Sequence, residues 1–210
     1  MYVFDAPKQA SLAVQGTEDR FPIRRIFCVG RNYEAHAREM GKDPTREAPF
    51  FFTKPADAAL DTPCTIAYPK LTQNLHHEIE LVIAIGKGGS EIAQEDVMDH
   101  VWGAAVGLDM TRRDLQGEAK DMGRPWDWGK AFDQSAPIGP IKPIADVPSV
   151  ETGRIWLAVN GEIRQDEGET RPECHPRLVQ SHVPGISSVS TAEIPLLGVR
   201  SHEKADDDTV

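Results

Sequence analysis

Cysteine is scarce in this sequence and nowhere paired. The 210 residues hold three, Cys28, Cys64 and Cys174, widely spaced, with no CxxC and no even framework. That spacing argues against a disulfide scaffold and predicts reduced thiols in a cytosolic protein. Positive charge is also short: Lys and Arg number 23 against 33 Asp and Glu, a formal net charge of -10. Nucleic acid and anionic membrane surfaces need basic patches, so neither is expected as a partner. An acidic substrate stays open if cations gather locally. No stretch approaches the roughly 18 apolar residues of a membrane span, and the N-terminus has no basic start followed by an apolar run. There is no internal repeat and no low-complexity linker. A soluble, cytoplasmic protein is expected.

What is present suits one substantial domain, with 40% hydrophobic and 27% charged residues. Residues 1–21 are weakly patterned and read as an N-terminal arm. "RRIFCVG" (24–30) is β-rich and closed by Gly30, and "NYEAHAREMG" reads as a short helix stopped at Gly41. "PFFFTKP" reads as a short aromatic strand, and "LHHEIELVIAIG" (75–86) and "AAVGLDM" as buried strands. Thr111 and Asp114 are spaced as a capping box, which predicts a helix starting directly after Asp109. "GRPWDWGKAFDQSAPIGP" is too rich in Gly, Pro and Trp for a regular element and reads as a long loop. "RIWLAVNGEIRQD" is a hairpin with Asn160-Gly161 in a type I′ turn. Strands outnumber helices without regular βαβ alternation, so the fold class is mainly β or α+β, with a mixed sheet and short peripheral helices.

Glu78 and Glu80 stand two apart in an apolar strand and so share a face with Val82 and Ala84. Like charges this close repel unless a cation lies between them. One reading is an edge strand whose polar face meets water. The other is a hard-cation site, with Asp109 at the end of the next strand as a third oxygen donor. Three carboxylates suit Mg²⁺ or Mn²⁺ better than zinc; taken alone, Asp109 reads as a cap of the following helix. His76 and His77 are candidates for support of such a site or for structural hydrogen bonds.

His36 and Glu39 lie three apart on the short helix, either as a solvated pair or as a carboxylate-oriented base for water. Arg113 and Gln116 share one helix face, where a guanidinium and an amide would recognise a carboxylate or form surface contacts. Lys130, among Trp residues, is either solvated or a proton donor with a lowered pKa.

"IFCVGRNYEAHAREMG", "PFFFTKPADAAL", "LHHEIELVIAIG", "GLDMTRRDLQ" and "GRPWDWGKAFDQSAPIGP" occur in the order seen in the fumarylacetoacetate hydrolase family, which the chain resembles from about residue 22 to 166. Within that family the text is most similar to the bacterial fumarylpyruvate hydrolases of gentisate degradation. The resemblance implies a mixed β-roll, a bound divalent metal (Mg²⁺ or Mn²⁺) and a homodimer. It implies metal ligands at Glu78, Glu80 and Asp109, catalytic roles for His36, Glu39 and Lys130, and substrate binding by Arg113 and Gln116. The activity implied is hydrolysis of a C–C bond in a small 2,4-diketo acid, fumarylpyruvate to fumarate and pyruvate. Oxaloacetate decarboxylation, acylpyruvate hydrolysis and dienoate isomerisation are the family's alternatives.

After "NGEIRQD" the sequence departs from the family's pattern, which continues into a threonine-bearing turn of the TGTPxGVG type. Residues 167–210 hold scattered Pro and His and an acidic end, "EKADDDTV". A shifted reading frame or a truncated gene would produce this change, and an unusual genuine C-terminus is the other reading. The segment is expected to pack loosely and to add no paired strand. An inactive ligand- or metal-binding relic is the alternative of another class.

Overall fold

The computed structural model describes residues 1–30, 50–150, 153–166 and 191–195. The helix expected to carry His36 and Glu39 lies outside the described residues, as does Cys174.

The chain opens with a small antiparallel pair, β1 (Ser11–Ala13) and β2 (Arg20–Pro22), in which Leu12 faces Phe21. Leu12 and Phe21 are buried in the main core, and Ala13 N–H donates to Asp61 Oδ1 at 2.7 Å. Residues 10–23 are therefore part of the packed domain and do not form the arm that weak patterning suggests. Two alternating apolar pairs, Leu12 with Val14 and Phe21 with Ile23, are too few to stand out in sequence but enough to anchor the strands.

Then come β3 (Arg25–Gly30) and β4 (Phe50–Lys54), paired antiparallel, and β5 (Ala59–Asp61). The "LHHEIELVIAIG" run divides. Leu75–His76 is a two-residue β6, His77 and Glu78 break the ladder, and Ile79–Ile85 is β7. After a 3₁₀ segment, Gln94–His100, the chain enters β8 (Val101–Leu108) and β9 (Thr111–Arg112), which pairs with β6. Helix α1 (Arg113–Asp121) and a single turn, α2 (Asp127–Lys130), follow. The Trp-rich stretch is thus only partly loop: it holds α2 and β10 (Ala136–Ile138), after which β11 is Lys142–Pro143. The expected hairpin forms as β12 (Trp156–Val159) and β13 (Glu162–Asp166). Asn160 and Gly161 both have positive φ, 54° and 86°, as a type I′ turn requires.

The last described strand, β14 (Thr191–Pro195), overturns the expectation that residues 167–210 add no paired strand. It lies inside the main sheet, parallel to β3 and antiparallel to β7. A five-residue strand fits here because its one proline is the terminal residue, where the lost N–H costs the ladder least.

The main sheet runs β4-β3-β14-β7-β8-β10-β5, with β11 also on β8. Its β14–β3 and β10–β5 pairings are parallel and the rest antiparallel, so the sheet is mixed, as expected. It is also strongly curved. β4 and β8 are four places apart, about 19 Å in a flat sheet at about 4.8 Å per strand. Yet the Lys54 ammonium at the end of β4 lies 2.8 Å from the carboxylate of Asp109, just beyond β8. A lysine side chain spans only about a third of that distance, so the sheet must roll. The concave side holds a core of Ile26, Cys28, Val82, Ala84, Ala136 and Ile138, while Ile83, Ile85, Val101 and Ala104 pack on the other face. Both faces of β7 are therefore covered, which disposes of the edge-strand reading of Glu78 and Glu80. Among the described residues no helix is long and apolar enough to cross a membrane.

Candidate active site

β7 and β8 set two of the carboxylates by register. Glu80 pairs with Gly107, and the Asp109 N–H donates to the Glu78 carbonyl at 2.9 Å. A side chain at Gly107 would meet Val82 Cγ2 at 2.9 Å, so glycine lets the two strands close beneath Glu80. Glu78, Glu80 and Asp109 are all buried, the last two completely.

Burying three carboxylates requires compensating cations, and the chain supplies them from distant elements. Lys130, at the end of α2, donates from Nζ to Glu78 Oε2 at 2.8 Å, Asp109 Oδ2 at 2.6 Å and Thr111 Oγ1 at 2.6 Å. Arg113 donates from Nη2 to Glu78 Oε1, from Nη1 to Gln116 Oε1 at 2.6 Å, and more weakly from Nε to His76 Nδ1 at 3.4 Å. Lys54 forms a third positive group beside Asp109 Oδ1.

These contacts set the protonation states. Burial alone would raise the Glu78 carboxyl, but Lys130 and Arg113 outweigh it and hold the group down at about 2. Burial would likewise favour a neutral Lys130, yet Asp109 and Glu78 raise its pKa above the ordinary lysine value. The expectation of a lowered Lys130 pKa is thus reversed: sequence shows the Trp residues around it but not the two carboxylates. Burial, and then the Arg113 charge, push His76 below its usual 6.5, so it stays a neutral acceptor for that guanidinium.

The capping box also fails, for a reason tied to the site. Thr111 lies in β9, and its hydroxyl accepts from Lys130 while donating to the Asp109 carbonyl at 3.1 Å. Arg112 is the N-cap and makes no side-chain cap. Asp114 instead accepts from Thr72 Oγ1 at 2.6 Å and Gln73 N–H at 2.8 Å, fixing the loop that leads into β6. Asp109 is likewise no cap, since both its oxygens face lysines.

Gln116 is buried, and its amide Nε2 has no hydrogen-bond partner among the described residues. α2 approaches so closely that a side chain at Gly129 would meet the Gln116 backbone at 2.9 Å, which brings Gln116 and Lys130 together. Phe52 and Trp126 add an apolar wall, with the Phe52 ring centroid 5.1 Å from Lys130 Nζ.

Seven of the residues read from sequence, Glu78, Glu80, Asp109, Arg113, Gln116, Lys130 and His76, therefore fall in this one region. Lys54 was not foreseen, because a lone lysine ahead of Pro55 carries no spacing signal. Among the described residues no three His, Cys, Asp or Glu side chains converge as they stand on one ion position. Glu78 and Asp109 do converge, however, and they already enclose a cation, the Lys130 ammonium. The oxygens of Glu78, Glu80 and Asp109 are hard donors, so in donor chemistry they fit a divalent ion of the Mg²⁺ or Mn²⁺ type.

Known proteins resemble this chain in sequence and in fold. A family model described as Fumarylacetoacetate (FAA) hydrolase C-terminal matches residues 25–176. The crystal structure of fumarylpyruvate hydrolase from Pseudomonas aeruginosa in complex with Mn²⁺ and pyruvate is similar at TM-score 0.84 and 47% identity, covering 93% of this chain and 86% of that one. Oxaloacetate tautomerase FAHD1, mitochondrial, of Homo sapiens is 40% identical over 177 residues, 83% of this chain and 79% of that protein. Its namesake of Arabidopsis thaliana is 39% identical over 176 residues, 83% of this chain and 78% of that protein.

Proposed function

The chain belongs to the fumarylacetoacetate hydrolase family, and from that premise we propose that it hydrolyses a C–C bond in a small 2,4-diketo acid, fumarylpyruvate to fumarate and pyruvate. The observation that carries the reading is the 47% identity to a fumarylpyruvate hydrolase whose crystal structure holds Mn²⁺ and pyruvate. The buried cluster of carboxylates and cations supports it. A substrate with carboxylate ends needs fixed positive groups, and an enzyme that breaks the C3–C4 bond must stabilise charge on the departing three-carbon fragment.

Glu78, Glu80 and Asp109 would hold the divalent ion. Once bound, that ion would supply Lewis-acid stabilisation of negative charge on the departing fragment. Arg113 keeps one substrate carboxylate in place, with the unpartnered Gln116 amide donating beside it. His36, oriented by Glu39, takes a proton from the water that attacks C4. The water oxygen passes to C4, the C3–C4 bond breaks, and C3 accepts a proton. Lys130 Nζ, set between Glu78 and Asp109, is the group placed to hold a proton at the site. The apolar wall of Phe52 and Trp126 keeps bulk water out.

A second reading, keto–enol conversion of oxaloacetate, is favoured by the names of the relatives near 40% identity. It uses the same carboxylate recognition and proton transfer without bond cleavage. One experiment separates the two: follow loss of fumarylpyruvate absorbance and release of pyruvate with Mg²⁺ or Mn²⁺, and in parallel the ketonisation of oxaloacetate. Pyruvate formed in step with absorbance loss supports the hydrolase. Ketonisation alone supports the tautomerase, and neither activity leaves an inactive relic.

A further inference from the structure

Among the described residues, Lys54 is the one buried cation at the site to which the reaction above gives no role. It closes β4, its side chain is completely shielded from solvent, and β4 comes from the far side of the rolled sheet. Its Nζ donates to the carbonyl of Met110 at 3.1 Å and to that of Lys130 at 2.5 Å. It also forms an ion pair with Asp109 Oδ1 at 2.8 Å. One ammonium thus ties together the chain leaving β8 and the end of α2.

The consequence falls on Asp109. A carboxylate can turn about its Cβ–Cγ bond and offer either oxygen or both. Lys54 draws Oδ1 toward β4, which leaves Oδ2 turned toward Lys130 and Glu78. Its bond to the Lys130 carbonyl fixes the backbone from which the other ammonium extends. We propose that Lys54 is a positioning residue for Asp109, fixing its carboxylate so that Oδ2 alone is presented to the divalent-ion site. This rests on the reading of Glu78, Glu80 and Asp109 as ion ligands. Phe132 makes the position specific to a long cation, its ring centroid lying 5.6 Å from Nζ.

The sign of one measurement separates positioning from bulk charge and from mere packing. Removing a nearby positive charge should, by Coulomb attraction alone, tighten the binding of a divalent cation. Loss of a fixed ligand should weaken it. Mn²⁺ binding to full-length protein is measured by calorimetry and by the free-ion paramagnetic resonance signal, well below the melting temperature, for wild type, Lys54→Met, Lys54→Arg and Glu80→Ala. The expected result is Mn²⁺ affinity at least about 10-fold weaker in folded Lys54→Met. Lys54→Arg keeps the charge but not the reach to both carbonyls, and should be weakened as well. It serves as the deciding variant if Lys54→Met does not fold. Unchanged or tighter Mn²⁺ binding in the folded variant overturns the proposal. Equal binding by wild type and Glu80→Ala, or no binding by wild type, overturns the carboxylate site itself and the Lys54 role with it.

Discussion

Lys130 Nζ and Asp109 Oδ2 meet at 2.6 Å in a region closed to water on both sides, with 1% of the lysine side chain and none of the aspartate exposed. Their elements are separated by α1 and by the turn into α2, so the contact is made by the fold and not by local sequence. Replacing either partner would leave the other with its second ion pair only, Asp109 with Lys54 or Lys130 with Glu78, and would unbalance the buried charge. The pair therefore marks a place where the chain accepts a stability risk to keep charge inside.

Metal binding is the first consequence to test. If Glu78, Glu80 and Asp109 form the ion site, Glu80→Ala should abolish Mn²⁺ or Mg²⁺ uptake and remove turnover, because two carboxylates already committed to Lys130 cannot replace the third. Calorimetric titration decides it. Undiminished affinity in that variant would sink the assignment.

Much of this site was legible in the sequence. Two glutamates two residues apart in "EIELVIAI" share a face by strand geometry alone, and an apolar run makes that face hard to leave uncompensated. The structure buries both and fills the other face with Ile83 and Ile85. The parts that could not be read depend on distance along the chain. Among the described residues, the polar partners of the Lys54 ammonium, Asp109, Met110 and Lys130, all lie more than fifty residues further along the chain. Thr111 looks like a helix cap because nothing in "TRRD" shows that its hydroxyl belongs to Lys130. The protonation of Lys130 is hidden for the same reason, since apolar neighbours are visible in sequence and the carboxylates are not.

Acid stability follows from Glu78. Its folded pKa of about 2 lies below the ordinary 4.5. The stabilisation is therefore fully present above about pH 4.5 and is lost as the pH falls through about 2, on the order of 3 kcal/mol in all. In EDTA the wild-type melting temperature should fall steeply across that window. Glu78→Gln, which has no such carboxyl, should start lower at neutral pH and show a shallower fall. Parallel curves for the two proteins would show that Glu78 is not the group responsible.

His36 carries the prediction for water activation. If it is the base, His36→Ala should lower turnover by about 100-fold or more while the KM for substrate changes little, because Arg113 and Gln116 hold the substrate. Near-normal turnover would restore the solvated-helix reading of His36 and Glu39.

The last prediction concerns β14. Sequence pattern alone gave Thr191–Pro195 no partner, since five residues with one isoleucine show no alternation to count. The structure sets them between β3 and β7, with Thr191 opposite Arg25 and Ala192 opposite both Ile26 and Ala84. A strand inside a sheet has neighbours on both edges, and its opening must break both ladders at once. Its amides should therefore exchange as slowly as those of β7, and far more slowly than the exposed hairpin of β12 and β13. Deleting residues 167–210 should expose the edges of β3 and β7 together, lowering the melting temperature and promoting strand-to-strand association. Hydrogen exchange read peptide by peptide gives the answer. Fast exchange across 191–195, with full protection retained in β3 and β7, would mean that the sheet closes without this strand and that the tail is the loosely packed segment its composition suggests.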